Sequence, residues 1–232
     1  MILILVVVTE PFSFGQASVS DNMNTLIAFA LEDYLKEVGL LVPGVRPLPR
    51  KKLDEIPYFF GQRYYLEERP QYKQIIPYCV IYESDPKVTP SPRILTYRRS
   101  RKGQESRLHD LLSIGFGGHI TPLDIYSLQI DLYPLIITAC YRELEEELPK
   151  LFYNLNSVSF GGKYIYDAST DVNSVHWGVL CTTFINNEAA LEQIAASEEC
   201  ANLEFLSLEE LKTCDSLETW SRLVVEELSR EE

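Results

Sequence analysis

Four glutamates lie within five positions of the segment ACYRELEEELPK, residues 139–150. If this segment forms a helix, positions i, i+3 and i+4 share one face, so Glu143, Glu146 and Glu147 would present three carboxylates side by side. Glu145 would point elsewhere. Carboxylates at this spacing repel one another, and a hard divalent cation with oxygen ligands relieves the repulsion. A solvated acidic face is the alternative, since a chain with 34 acidic residues forms such faces by chance.

A glycine pair precedes this segment in LLSIGFGGHITPLD, residues 111–124. Glycine allows close approach of the backbone, so the carbonyl group of Gly118 could join the carboxylates around a metal ion. Asp124 follows Gly118 by six residues, and Arg142 directly precedes the first glutamate of the cluster. The glycine pair and the acidic helix together are a more specific signal than the helix alone.

The two segments together resemble the signature motif of the Nudix (MutT-like) hydrolases. In that motif a glycine is followed six residues later by an acid, and then by a helix reading Arg-Glu-apolar-x-Glu-Glu. The matching positions are Gly118, Asp124, Arg142, Glu143, Leu144, Glu146 and Glu147. The chain departs from the motif in three ways: the acid is an aspartate, seventeen residues instead of seven separate it from Arg142, and Pro149 stands where a glycine is usual.

A narrower resemblance covers about residues 60–230. The segments QIIPYCVIYE, YRRS, SIGFGGHI, VHWGVL and LETWS occur in this order. They are similar to a bacterial and phage branch of the Nudix superfamily described as predicted phosphoesterases, whose members have a lengthened loop between the glycine and the helix. The resemblance implies an α/β/α sandwich and hydrolysis of a diphosphate linkage, in a nucleoside diphosphate derivative or similar small molecule.

The resemblance also implies a role for each matching residue. Glu146 and Glu147 would be the principal ligands of Mg²⁺ or Mn²⁺, joined by Gly118. Glu143 would be a further ligand or the base that deprotonates water. Arg142 would orient a glutamate through a charge-assisted hydrogen bond.

Four further residues are candidate substrate contacts. The segment YRRSRK concentrates positive charge that is scarce elsewhere, so Arg98 and Arg99 either contact a phosphate group or lie on a solvated hairpin. His119 adjoins the glycine pair, and Asp124 lies in the same loop.

Many Nudix enzymes use a late fourth carboxylate as a metal ligand. Glu188, 45 residues beyond Glu143, could serve, but Asp167, Asp171 and Glu218 compete with it. The sequence leaves this choice open.

The bulk composition is that of a globular chain. Of 232 residues, 46% are hydrophobic and 24% charged, enough for one large domain or for a domain with an extension. The formal net charge of −13 opposes general binding to DNA or RNA. We therefore expect a small phosphorylated substrate, bound through cations, and no nucleic-acid or membrane partner. Residues 1–70 could cover the pocket or form the contact of a homodimer.

Two features indicate a cytoplasmic protein. The opening MILILVVVTE is too short to span a bilayer and lacks the flanks of a signal peptide, so we interpret it as a buried strand. The five cysteines show no CxxC spacing and lie among apolar neighbours, as reduced core cysteines do.

Hydrophobic patterning predicts a mixed α/β (α+β) fold. Apolar runs predict strands in QIIPYCVIYE, RILTYRRS, LLSIGFGGHI and SVHWGVLCTTFI. Helices are expected in NMNTLIAFALEDYLKEVG, which Gly39 would end, and over residues 135–148. Two acidic helices close the chain, the first with Ser207 and Glu210 spaced for a capping box. This order predicts an α/β-type sandwich around one mixed sheet, and the resemblance to the Nudix hydrolases implies its Nudix-type α/β/α form. An N-terminal strand-helix extension, residues 1–70, would pack on a Nudix hydrolase domain, residues 71–232.

Two other functions stay open. One is an enzyme resembling isopentenyl-diphosphate isomerase, which would need a reactive cysteine near the pocket, for which Cys79 is a candidate. The other is a non-catalytic module that senses a nucleotide. The intact set Arg142, Glu143, Glu146 and Glu147 argues against a sensor, because a retired site has no physical reason to keep carboxylates that repel one another.

Overall fold

The structure is a computed structural model that describes residues 25–99, 111–125, 131–185 and 200–231. The predicted opening strand lies outside these residues. Among the helices that the structure describes, none is long and apolar enough to cross a membrane.

The described chain contains both strands and helices. The strands are β1 (Leu26–Leu31), β2 (Gly44–Pro47), β3 (Tyr58–Gln62), β4 (Tyr72–Tyr82), β5 (Ile94–Arg99), β6 (Leu112–Ser113), β7 (Gly115–Phe116), β8 (Ser159–Tyr166), β9 (His176–Phe184) and β10 (Cys200–Leu206). The α-helices are α1 (Glu32–Glu37), α2 (Arg50–Asp54), α3 (Arg63–Leu66), α4 (Leu132–Glu147), α5 (Asp171–Ser174), α6 (Leu208–Lys212) and α7 (Thr219–Glu231). Two 3-10 helices cover Pro122–Asp124 and Phe152–Asn154.

The described strands form one mixed sheet. Its main path runs in the order β10-β5-β4-β9-β8-β2, with β1 and β3 joined at the start of β4, and β6 and β7 joined to β5 and β4. The pair β4 and β9 is parallel. The other described pairings are antiparallel. The mixed sheet predicted from the sequence is therefore confirmed.

Helices cover both faces of the sheet. Side chains alternate between the two faces of a strand, and β4 separates them accordingly. Cys79 and Ile81 belong to the core cluster that contains the buried residues of α4. Tyr78 and Val80 belong to the cluster that contains the buried residues of α6 and α7. The result is the expected α/β/α sandwich, with α4 on one side of the central strand.

The helix predicted in NMNTLIAFALEDYLKEVG is wrong in its first half. Residues Leu26–Leu31 form strand β1, and only Glu32–Glu37 form a helix. The reason is burial, because the four consecutive residues 27–30 are all buried. A strand inside a sheet can be buried on both faces, whereas a surface helix is buried on one face only. Gly39, with φ +72°, follows α1 as expected for a helix end.

The other strands and helices predicted within the described residues are confirmed. The four predicted strand segments form β4, β5, the pair β6 and β7, and β9. The acidic helix is α4, which begins at Leu132, three residues before the predicted start. Ser207 and Glu210 form the predicted capping box at the start of α6.

The described part of residues 1–70 belongs to the same sheet. β1 pairs with β4, and β2 pairs with β8. The indole of Trp177 in β9 donates a 2.9 Å hydrogen bond to the carbonyl oxygen of Leu40. A domain boundary near residue 70 stays a prediction, although these contacts tie both sides of it together.

Candidate functional site

Helix α4 is the platform of the site. Its buried side chains recur every three or four residues and pack on the sheet: Leu132, Leu135, Ile136, Ala139, Cys140 and Leu144. This packing leaves Arg142, Glu143 and Glu146 on the sides of the helix that do not face the core. The helix ends at Glu147, two residues before Pro149, as expected because proline disfavours a helical conformation of the residue before it.

The carboxylates lie where a helix least tolerates them. The C-terminal end of a helix carries partial negative charge, which favours basic side chains in the last turn. The last turn of α4 has no basic residue and contains Glu145, Glu146 and Glu147. This arrangement costs stability in the isolated helix, and a bound cation would offset that cost.

Both glycines of the pair lie close to neighbouring groups. Gly117 has φ +149°, and a Cβ atom there would lie 2.0 Å from the carbonyl oxygen of Pro77. A Cβ atom on Gly118 would lie 2.6 Å from Oε1 of Glu143. The turn formed by Gly117 and Gly118, called the glycine turn below, therefore packs against the backbone of β4 at Pro77. It also places the backbone of Gly118 close to the Glu143 carboxylate.

Arg142 joins the turn to the helix. Its Nε donates to Oδ1 of Asp124 at 2.9 Å, and its Nη2 donates to Oδ2 at 3.1 Å. Nη2 also donates to the carbonyl oxygen of His119 at 2.8 Å. Asp124 is 1% exposed, and its Oδ2 also accepts a 2.7 Å hydrogen bond from the backbone N–H of Thr121. The two halves of the motif are thus adjacent in space, and Asp124 anchors Arg142.

Arg142 also contacts two glutamates. Its Nη1 lies 2.7 Å from Oε1 of Glu143 and 3.6 Å from Oε2 of Glu146. The Glu143 side chain is 15% exposed, and burial raises the pKa of this carboxyl above its ordinary value although Arg142 opposes the shift. Glu146 is 60% exposed, whereas Oε2 of Glu147 is buried. Among the described residues, no three acidic, histidine or cysteine side chains converge as a metal site.

His119 lies beside this cluster. Its Nε2 is 2.7 Å from Oε1 of the buried Gln74, and its ring centroid is 6.3 Å from that of His176. Removal from water, followed by the positive charges of Arg63, His176 and Arg142, lowers the pKa of His119 well below its ordinary value. The imidazole is therefore neutral at pH 7.

The two arginines at the end of β5 contact different partners. Nη1 of Arg98 is 3.4 Å from Oγ of Ser216. Nε of Arg99 donates to Oε2 of Glu218 at 3.0 Å. Both guanidinium groups reach the segment that precedes α7. Neither arginine is therefore simply a solvated side chain on a hairpin.

The candidates for a fourth metal carboxylate differ in their surroundings. Glu218 is buried and bound to Arg99. Asp167 accepts hydrogen bonds from Ser169 and Asn173 within its own loop, and Asp171 is exposed in the short helix α5. Glu188 lies outside the described residues.

The sequence analysis missed the polar side chains around Glu218. Tyr78, Ser113 and Ser221 hydrogen-bond to the same carboxylate from β4, β6 and α7. Tyr78 and Ser113 are distant from Glu218 in the chain, so no local spacing could have identified them, whereas Ser221 follows Glu218 by three residues, a spacing that the sequence shows.

The sandwich fold and the Arg-Glu-x-x-Glu-Glu helix anchored to a glycine turn define a Nudix-type protein. The chain is 35% identical over 163 residues to Protein YmaB of Bacillus subtilis (strain 168), which is 69% of this chain and 73% of that protein. The crystal structure of Tm1382, assigned to the Nudix hydrolases, superposes with a TM-score of 0.66 and 25% sequence identity. The match covers 89% of this chain and 100% of Tm1382. No protein-family model matches the sequence. The chain belongs to the Nudix (MutT-like) superfamily, in one family with Protein YmaB.

Proposed function

We propose that the protein is a Mg²⁺-dependent Nudix hydrolase that cleaves the diphosphate linkage of a nucleoside diphosphate derivative or a similar small molecule. The observation that carries the proposal is the ion pair between Arg142 and Asp124. This ion pair brings the glycine turn and helix α4 together, although seventeen residues separate Asp124 from Arg142 in the sequence. The similarity to Tm1382 supports the same reaction class.

The donor atoms of the site fit Mg²⁺ or Mn²⁺. Carboxylate and carbonyl oxygens are the ligands that hard divalent cations prefer, and Glu143, Glu146, Glu147 and Gly118 supply them. The backbone of Gly118 lies close to the Glu143 carboxylate, since a Cβ atom there would be 2.6 Å from Oε1. Arg142 lies between Glu143 and Glu146, so Glu146 must reorient to share a cation with the others. Its exposed side chain is able to do so.

The chain's own residues divide the remaining work. A bound cation would polarise a phosphoryl oxygen and make water more acidic. Glu143 is held in place by Arg142, and its raised pKa makes it a better proton acceptor near neutral pH. Arg142 is a positioning residue. The net charge of −13 gives a further reason for cations between protein and substrate.

The site does not favour the isomerase alternative. Cys79 is completely buried. A hydrogen bond with Cys140 lowers the pKa of the Cys79 thiol, but burial and the nearby Cys181 and Glu147 raise it, and the net shift is upward. A protonated, inaccessible thiol is a poor acid or nucleophile.

A substrate screen tests the proposal. The purified protein is incubated with a panel of nucleoside diphosphate derivatives and Mg²⁺, and phosphate is measured after addition of phosphatase. We expect turnover of at least one compound, its loss with EDTA, and its recovery with excess Mg²⁺. Binding without turnover across the panel would favour a nucleotide sensor.

Glu146→Gln is the sharper test of the site. It keeps the shape of the side chain and removes a charged metal ligand, so we expect hydrolysis to fall at least about 100-fold, or about 3 kcal/mol. The unfolding temperature should stay the same or rise, because the repulsion at the end of α4 decreases.

Glu145→Gln is the matched control. Glu145 is exposed on the same helix turn, and its carboxylate meets only the hydroxyl of Tyr153 at 3.5 Å among the described hydrogen bonds. This variant should hydrolyse substrate like the wild type. Full activity of Glu146→Gln would show that the site is elsewhere.

A further inference from the structure

A buried carboxylate lies at the start of α7. Glu218 is 4% exposed, and its Oε1 accepts hydrogen bonds from Tyr78 at 3.1 Å, Ser113 at 2.8 Å and Ser221 at 3.1 Å. Its Oε2 accepts a 3.0 Å hydrogen bond from Nε of Arg99. Burial, followed by the charge of Glu218, raises the pKa of Tyr78 well above its ordinary value, so its hydroxyl keeps the proton that it donates.

This network fixes one edge of a guanidinium group. Three neutral donors hold Glu218 in place, and Glu218 in turn holds Nε of Arg99. The Arg99 side chain is 33% exposed, so it is not enclosed with its partner. The Nη1 and Nη2 atoms form the opposite edge of the group, and this edge matches two oxygens of a phosphate.

Arg99 lies on the face of the sheet that carries α4. Residues two apart in a strand share a face, so Arg99 shares it with Tyr97. Tyr97 belongs to the core cluster of α4, packs on Phe116 with ring centroids 4.8 Å apart, and donates to the carbonyl oxygen of Gly115 at 3.1 Å. The end of β5 is therefore adjacent to β7, which leads directly into the glycine turn.

The charged groups that act on Arg99 also indicate that it lies near the carboxylates of α4. Burial lowers the pKa of Arg99, but Tyr97 and Glu218, followed by Tyr78 and Glu147, raise it above its ordinary value. Glu147 belongs to the carboxylate cluster of α4, so Arg99 lies within electrostatic reach of the site. In a protein with a net charge of −13, an arginine with a partly exposed side chain within electrostatic reach of these carboxylates is suited to bind an anion.

A purely structural role of the ion pair between Arg99 and Glu218 explains its hydrogen-bond network less well than a role in substrate binding. A buried ion pair is weak evidence for stability, because removing two charges from water costs about as much as their attraction returns. The three neutral donors already satisfy Oε1 of Glu218. The remaining effect of Glu218 is to determine the orientation of Arg99.

We propose that Arg99 binds a phosphate group of the substrate and that Glu218, held by Tyr78, Ser113 and Ser221, is its positioning residue. This inference rests on the proposed diphosphate hydrolysis, whose phosphate groups are the ligand. It separates Arg99 from Arg98, whose described contact is with Ser216, and it gives Glu218 a role other than metal ligand.

The binding test uses imidodiphosphate, a pyrophosphate analogue whose bridging nitrogen resists hydrolysis. Its dissociation constant is measured by titration calorimetry with Mg²⁺ present. Arg99→Ala should weaken binding about 10- to 100-fold, because a charge-assisted bidentate contact is lost. Arg99→Lys keeps the charge without the fork and should recover part of the affinity.

Arg93→Ala is the matched control. Arg93 precedes the other end of β5 and is also paired with a glutamate, Glu83. Its removal should leave the affinity for imidodiphosphate within about twofold of the wild type, as for an ordinary surface substitution. Equal affinities of Arg99→Ala and wild type would overturn the inference.

Glu218→Gln tests the positioning role. With the substrate found in the screen, we expect KM to rise about 5- to 10-fold while kcat changes less than about twofold, because the reacting groups are untouched. Loss of the ion pair can lower the unfolding temperature under either role, but a merely structural role would leave KM unchanged. If Glu218→Gln does not fold, the Arg99 variants still decide the inference.

The two proposals fail separately. If Arg99→Ala weakens imidodiphosphate binding but no diphosphate is hydrolysed, Arg99 is an anion contact and the hydrolase proposal is wrong. If hydrolysis is normal and neither binding nor KM depends on Arg99, the hydrolase proposal holds and this inference is wrong.

Discussion

A Cβ atom on Gly118 would meet the Glu143 carboxylate, with Oε1 only 2.6 Å away. This carboxylate also pairs with Arg142. The conformation of Gly118 is not in the left-handed region, so the backbone itself would tolerate alanine. The requirement for glycine here comes from the carboxylate.

Gly118→Ala should therefore impair activity more than folding. The new Cβ atom would force the Glu143 carboxylate to move, and a displacement of about 1 Å in a catalytic group costs about 100-fold in rate. We expect hydrolysis to fall between about 10- and 100-fold. Steady-state kinetics with the substrate from the screen would measure the effect.

Thermal unfolding distinguishes this explanation from misfolding. The clash is with the end of a flexible side chain, so the unfolding temperature should change by only a few degrees, about 1 kcal/mol or less. A large loss of stability with unchanged specific activity would contradict the proposed contact.

At the scale of the elements, a buried lysine joins α1 to the sheet. Lys73 in β4 is 1% exposed and donates to the carbonyl oxygens of Pro70 at 2.7 Å and Ser174 at 2.6 Å. Its Nζ also lies 3.2 Å from Oε1 of Glu32, the first residue of α1. Burial lowers the pKa of Lys73, and Glu32 opposes the shift. The ammonium group holds three segments together.

Glu32→Gln should destabilise the protein by about 1–3 kcal/mol at pH 7, the usual range for a hydrogen bond to a charged group. Burial raises the pKa of Glu32, but Lys73 and Lys36 lower it further, so the folded-state pKa lies below the ordinary 4.5. A depressed pKa stabilises the fold above 4.5, and this contribution is lost as the pH falls through the folded-state pKa. Urea unfolding from pH 7 to pH 3 would measure it.

Glu37→Gln provides the control for that series. Glu37 is exposed at the end of the same helix, so its replacement should change stability by less than about 0.5 kcal/mol. If the free energy of unfolding of the wild type exceeded that of Glu32→Gln by the same amount down to pH 3, the ion pair would not be the cause of the difference.

At the scale of the whole molecule, the described chain shares one sheet. Strands from residues 25–70 pair with β4 and β8, and the carbonyl oxygen of Leu40 accepts the buried hydrogen bond from Trp177. Two core clusters lie on opposite faces of the same central strands. Buried residues of this part, such as Leu35 and Leu48, belong to the same core cluster as the buried residues of α4.

We therefore expect a single cooperative unfolding transition. Far-UV circular dichroism and tryptophan fluorescence should give the same urea midpoint, since both tryptophans, Trp177 and Trp220, pack on the sheet. Trp177→Phe should lower the free energy of unfolding by about 1–3 kcal/mol, because the Leu40 carbonyl loses its donor. A separate early transition in circular dichroism would show that residues 25–70 unfold independently.

The sequence by itself determined the features that depend on near neighbours. The i, i+3 and i+4 spacing of Glu143, Glu146 and Glu147 on α4 can be read from the sequence, as can the spacing of three in the capping box of Ser207 and Glu210. The strands β4 and β9 contain apolar runs of the kind expected for strands buried in a sheet. These patterns act over a few residues, so they can be identified before the fold is known.

Tertiary structure decided what depends on distant partners. The hydrophobic pattern of Leu26–Leu31 is compatible with a helix. The segment is a strand because β3 and β4 pair with it in the sheet. Arg142 meets Asp124 across 18 positions, and Arg99 meets Glu218 across 119. Such contacts depend on which strands pair and which helices pack on each face. Local spacing therefore located the carboxylates, while the packing of the sheet selected the residues that hold them and the arginine beside them.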